Sequence, residues 1–240
     1  MDLFSFIAAG VLVYVAVAVF LGGMGYQIYT WVKTPRSSVL LGIFPKPKNK
    51  TVKFFKLLKD SFIFPHSIEV DRWMWVFAIL FHFALAVALL GHFRLVHEFT
   101  PVASVLGASG MDTLSSVAGG TMGVILLMVI LYYLFRRFFY PYKELSVFED
   151  YLLIFLLIMI IALGDHLRFF GKFHVEDYRV YVQSLLVLKP AFPAAIASSP
   201  ARFVLSVHVL FVNLFIIYFP FSKLTHVIGT FAVNVVRSDA

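Results

Sequence analysis

Five continuous apolar runs, each about long enough to cross a bilayer, constrain this chain more than any other feature. They lie at about 3–32, 73–93, 119–135, 151–167 and 203–226, the last interrupted by Pro220. One crossing takes about 20 residues of helix, and continuous runs lack the period-two alternation of a membrane β-barrel. Of 240 residues, 61% are hydrophobic and 14% charged. Soluble domains run at about 45–50% and 25%, so too little polar surface remains to cover a globule in water. The predicted fold is an all-α integral membrane protein, a single transmembrane domain over residues 1–240 built as a five-helix bundle. The first run follows Asp2 directly, without the basic stretch and small-residue cleavage pattern of a signal peptide, and is read as a retained span.

Five spans put the termini on opposite sides, and the basic residues choose between the two orientations. Fourteen of the 20 lysines and arginines fall on one side. They are Lys33 to Arg72 in the first connection, Arg136, Arg137 and Lys143 in the third, and Lys223 and Arg237 at the end. Arg94, Arg168, Lys172, Arg179, Lys189 and Arg202 fall on the other. The N-terminus is therefore expected outside and the C-terminus in the cytoplasm. The net charge of +7 then faces anionic cytoplasmic lipid and calls for no nucleic acid. Within the first connection, Lys46 to Lys59 has lysines and aromatics at helical spacing. It reads either as an amphipathic helix on the bilayer or as a dock for a cytoplasmic partner.

Cysteine is absent, which removes disulfides, thiolate metal sites, iron–sulfur clusters and covalent c-type haem. Redox chemistry would need a non-covalent cofactor. Four of the eight histidines fall in the runs: His82 and His92 on the second, His208 and His226 on the fifth. Ionisable groups inside a membrane are costly and usually functional. His82 and His92 are about 15 Å apart along a helix. His208 and His226, eighteen residues apart, would share a face of one unbroken helix about 27 Å apart. Because the two helices run antiparallel, His92 pairs with His208 toward the outside and His82 with His226 toward the cytoplasm. Two stacked bis-imidazole sites suit two haems b, with imidazole as a natural iron ligand.

Haem propionates need cationic partners near the membrane surfaces, and Arg94 and Arg168 are placed for this on the outer side. Gly119, Gly120 and Gly123 would let a flat ligand approach the third helix closely. Near His92, the residues Gly91, Arg94, His97, Glu98, Asp165, His166 and Arg168 are expected to converge at the helix ends. His166 and Asp165 are the candidate proton-transfer groups of a carrier site there.

The segments Leu80-Phe-His82 through Gly91-His92-Phe93 with Thr100-Pro101, Ala118-Gly-Gly-Thr-Met-Gly-Val124, and Phe219-Pro-Phe-Ser-Lys-Leu-Thr-His226 carry a resemblance. They look like the membrane cytochrome b subunit, or gamma chain, of respiratory nitrate reductase. That family also includes the haem subunit of membrane-bound heterodisulfide reductase and DsrM of the sulfite-reduction-associated DsrMKJOP complex. The long connection from Lys33 to Arg72 favours these latter branches. So does the lack of a basic residue at Asp112 to Ser116, ahead of the glycines, where the nitrate reductase subunit has one for quinol.

The resemblance implies a five-helix bundle with two haems b, sited by His92 with His208 and by His82 with His226. It implies electron transfer between menaquinol, or another lipid-soluble carrier such as a phenazine, and a cytoplasmic iron–sulfur subunit. That partner would be DsrK-like or heterodisulfide-reductase-like, with further membrane and extracytoplasmic redox subunits, in a prokaryotic cell membrane. The chain would act as a menaquinol dehydrogenase subunit of an oxidoreductase. A different class, a proton-coupled or metal transporter using the histidines as a relay without haem, is the alternative. It would be expected to show internal repeats and paired broken helices, which this sequence lacks.

Overall fold

The computed structural model describes residues 1–34, 47–171 and 173–239. Arg36, Lys46 and Lys172, which entered the charge asymmetry, lie outside the described residues. All regular structure among the described residues is helical. Five helices are long and apolar enough to cross a membrane. We number the main helices α1 (Leu3–Lys33), α2 (Lys50–Phe62), α3 (Arg72–Phe93), α4 (Thr100–Arg136), α5 (Phe148–Phe170), α6 (Val175–Leu186), α7 (Ala201–Tyr218) and α8 (His226–Asp239). The spans are α1, α3, α4, α5 and α7. Large apolar side chains stay on their outer surfaces, with Leu21, Leu89, Val117 and Phe135 all more than half exposed. Helices satisfy their own backbone polar groups, so such a surface is stable in lipid and not in water.

Two spans differ from the sequence expectation. The third begins at Thr100 rather than near residue 119, because in residues 100–118 valines, leucines and Met111 alternate with small and polar residues and Asp112, which dilutes the hydropathy although the stretch forms helix. Gly107, at φ 67°, kinks this helix, a conformation that L side chains disfavour. The fifth helix stops at Tyr218, where Pro220 supplies no backbone donor. A short 3-10 stretch follows, Ser222 accepts a hydrogen bond from the Leu224 amide, and His226 opens α8. His208 and His226 therefore do not share the face of one helix, and the eighteen-residue periodicity argument does not hold.

Contacts divide the chain into two compact units, Met1–Ala18 with Leu80–Ile217 and Val19–Ile79 with Tyr218–Ala240. In the first, Ala9, Leu167, Tyr181, Phe192, Ile196 and Leu205 form a buried cluster. The start of α1 contains a π-helical turn, Ile7–Val11, and two of its carbonyls accept bonds from other helices. Asn213 donates to Ala8 at 2.9 Å and the Tyr181 hydroxyl to Ala9 at 2.6 Å. A π turn misaligns the carbonyl ladder and frees acceptors for such bonds. In the second unit, α2 packs on α8 through Phe62 with Phe231, and Asn234 donates to Ser61 at 3.1 Å. Gly23 takes Pro220 so closely that a Cβ there would lie 2.6 Å from the ring.

Candidate functional site

His92 and His208 both belong to the first unit. His92 lies on the last turn of α3 with Nδ1 2.7 Å from the Ala88 carbonyl, four residues back. His208 sits mid-way along α7 with Nδ1 3.1 Å from the Ile160 carbonyl of α5. A carbonyl oxygen can only accept, so each Nδ1 carries a proton and Nε2 is the nitrogen left to ligate. This second interaction fixes both tautomer and ring plane, as ligating histidines require. His92 lies within electrostatic reach of His208. Gly164 of α5 packs close to the His208 ring, where a Cβ would stand a tight 3.3 Å from Cε1.

The other two histidines fall in different places. His82 is on α3, exposed, with its ring edge-on to Phe81 at 5.6 Å. His226 belongs to the second unit and its Nδ1 lies 2.9 Å from the Lys223 carbonyl, which sets the same tautomer. It lines a cavity of about 580 Å³ with Trp31, Asp60, Phe64 and His66 among its walls. Among the described residues no three His, Cys, Asp or Glu side chains gather as an ion site. A bis-imidazole pair is not such a group.

Arg94 is held by several protein partners. It is 6% exposed. Its Nε donates to both Glu98 oxygens at 2.7 and 3.0 Å, Nη1 to the Met111 carbonyl at 3.2 Å, and Nη2 to Asp112 at 2.8 Å. Arg179 of α6 joins from the other side, bonding Glu98 at 2.9 Å and Glu176 at 2.6 Å. A cavity of about 310 Å³ adjoins this network, with His174 in its wall. The hydrogen bond from Arg94, followed by that from Arg179, holds the Glu98 carboxyl below the usual glutamate range. The sequence signal for this pair was the i,i+4 spacing of Arg94 and Glu98. Asp112 and Arg179 carried no signal.

Asp165, His166 and Arg168 do not join that network, and none of them lines its cavity. Asp165 faces α4, where a Cβ on Gly123 would collide with Oδ1, and its Oδ2 is sealed from solvent with no hydrogen-bond partner. His166 is exposed and its ring lies against Phe170 at 5.2 Å. Neighbours on a helix leave it about 100° apart, so the two do not form a pair. The glycines of α4 serve this packing. Gly119 meets the Arg168 guanidinium and Gly120 the Phe169 ring. The expected outer cluster is thus divided: Arg94 binds Glu98, while Asp165 and Arg168 pack against different glycines of α4, Gly123 and Gly119.

Residues 67–238 match the nitrate reductase gamma subunit family. The chain belongs to this family. His82, His92, His208 and His226 all fall in the matched region, while α1 and α2 fall wholly outside it. Two relatives extend over more of the chain. A protein of Archaeoglobus profundus called Hdr-like menaquinol oxidoreductase cytochrome b-like subunit is 26% identical, covering 90% of this chain and 74% of its own length. Its namesake from Archaeoglobus fulgidus is 27% identical, covering 92% and 76%.

Proposed function

We propose that this chain is the membrane cytochrome b subunit of a menaquinol-linked oxidoreductase complex, holding two haems b and relaying electrons to a cytoplasmic iron–sulfur subunit. The names of the two archaeal relatives support a membrane cytochrome b in a quinone-linked complex. One observation carries the haem assignment: in His92 and His208 the Nδ1 is tied to a backbone carbonyl and Nε2 is left to ligate. The donor set fits haem b, which needs two neutral imidazoles and no cysteine.

Bound haem supplies one-electron transfer. The chain's own part is to orient the imidazoles, to exclude water from α3, α5 and α7, and to handle the protons of the carrier. His92 and His208 hold one haem. The pairing of His82 with His226 for the second rests on the sequence, as does the placement of the N-terminus outside and the C-terminus in the cytoplasm. Asp165 is the group for proton transfer with the carrier, and Arg168 on the same helix offers a cation to a propionate or a carrier oxygen.

A reduced-minus-oxidised absorption spectrum with a pyridine haemochrome assay tests this reading. Two b-type haems per chain are expected, with His92→Ala and His208→Ala removing the same one and His82→Ala and His226→Ala the other. A purified chain from haem-replete cells that shows no b-type bands would leave the histidine-relay transporter in its place.

A further inference from the structure

We infer that α2 is a surface helix that inserts its aromatic side into the anionic leaflet at the membrane boundary, with the exposed Lys50 and Lys59 set against lipid phosphates. The inference does not depend on the haem assignment. On α2 the residues turned toward the rest of the second unit are Lys53, Lys56, Leu57, Leu58, Asp60 and Ser61, all half-buried. The side turned away is aromatic. Phe54 and Phe55 are 56 and 64% exposed, with Val52 beside them. This reverses what a helix in water does, where the apolar side is the one covered.

The place of α2 along the chain makes lipid the occupant. Just past its C-terminus, the Ile63 carbonyl accepts a 2.7 Å hydrogen bond from the indole of Trp75, in the first turns of α3. Trp73, in the opening turn of the same span, is 68% exposed. Indoles at the start of a span mark the headgroup level, so this bond ties the end of α2 to that level. Phe62 and Ser61 meet α8 at the C-terminal end of α2, while Phe54 and Phe55 nearer its start stay exposed. Lysines recur at every third position, Lys50, Lys53, Lys56 and Lys59, against one carboxylate, Asp60, and Lys50 and Lys59 are exposed. Such a helix prefers anionic lipid over both neutral lipid and water. An acidic protein surface would match the lysines but would not require two exposed phenylalanines.

The absence of cysteine makes single-site labelling clean. Phe55→Cys and, separately, Asp60→Cys on the opposite side of the helix are labelled in the full chain with an environment-sensitive fluorophore. The labelled chains are placed in nanodiscs of phosphatidylcholine alone or mixed with phosphatidylglycerol, each with brominated acyl chains. Blue-shifted and bromine-quenched emission is expected from position 55 and not from position 60. High salt or the double variant Lys50→Gln, Lys59→Gln should weaken the quenching at position 55. If Phe55→Cys does not accumulate in the membrane, Phe54→Cys reads the same face. Unquenched, water-like emission in anionic discs would overturn the inference. Quenching equal in both lipid mixtures would remove its electrostatic part, and protection that arises only on adding a cytoplasmic protein fraction would assign the face to a protein.

Discussion

Arg179 of α6 donates two hydrogen bonds to the backbone carbonyl of Arg94, at 3.1 and 3.3 Å, two residues beyond His92. The end of α3 is thus held at its main chain by a helix that does not cross the membrane. Arg94 closes the arrangement through Glu98 and Asp112. Arg179→Gln breaks the bonds to Arg94 and Glu98, and partly buried, charged hydrogen bonds contribute about 1.5–3 kcal/mol. The variant should melt at lower temperature in detergent, with early loss of the haem held by His92, and Arg179→Lys should recover part of the loss. Unchanged melting and haem retention would make the network incidental.

The same network predicts a pH dependence with a definite sign. The folded-state pKa of Glu98 lies below its ordinary value of 4.5. Its contribution is therefore complete above about pH 4.5 and is lost as pH falls through the lower folded value. Melting temperatures measured across this range should fall on acidification in the native chain. In Glu98→Gln the protein should start lower and the acid-side slope should flatten.

At the π turn of α1, Asn213 and Tyr181 fill acceptors that the α-helical ladder has released. Tyr181→Phe keeps the ring and removes the hydroxyl donor, leaving the Ala9 carbonyl buried without that bond. The expected cost is about 1–3 kcal/mol, measured by thermal melting. Asn213→Ala should cost as much again, since its bond goes to a different carbonyl. If neither variant shifts the melt, the π turn is held by apolar packing alone.

The spans were legible because lipid demands long apolar runs, and the family was legible because His82, His92, His208 and His226 are rare residue types in such runs. The helix from Thr100 to residue 118 was not, because small and polar residues between its valines and leucines dilute the hydropathy. Nor was the break before His226 fully read. Pro220 signalled an interruption, but not that His226 would open a separate helix. Arg94 illustrates a third limit: a basic residue at a span end reads as a propionate partner, and only the fold brings Asp112 and Arg179 to it. Asp165 and His166 are adjacent in sequence and were read as a pair, whereas helical rotation sends them to different surroundings.

The glycines of α4 separate packing from ligand binding. A methyl group on Gly123 would collide with Asp165 Oδ1, a short side chain with little room to move, whereas on Gly119 it would meet the far end of the flexible Arg168. Gly123→Ala should therefore destabilise by about 1–3 kcal/mol. Gly119→Ala should be near neutral, because Ala is favoured over Gly in a helix by about 1 kcal/mol. Thermal melting of the two variants side by side checks the contrast. If Gly119→Ala instead removes haem at unchanged melting, that glycine faces the cofactor.

Asp165 and His166 make opposite predictions for carrier chemistry. Quinol oxidation releases two protons with two electrons, so the site needs a group that can take a proton beside the path of the electron. Asp165 has a carboxylate oxygen sealed from solvent with no hydrogen-bond partner, on the residue after Gly164, which packs against the His208 ring. His166 is exposed against Phe170, with no fixed relation to that ring. In a stopped-flow measurement of haem reduction by a menaquinol analogue, Asp165→Asn should slow the reaction at least about a hundredfold, the lower range for loss of a positioned general base. His166→Gln should leave the rate near that of the native chain. The spectrum of each variant must first show both haems bound, so that a slow rate reports proton transfer and not a lost electron acceptor. Native rates in Asp165→Asn under that condition would return the carboxylate to a packing role against Gly123. A large loss in His166→Gln would move proton transfer to the exposed face of α5.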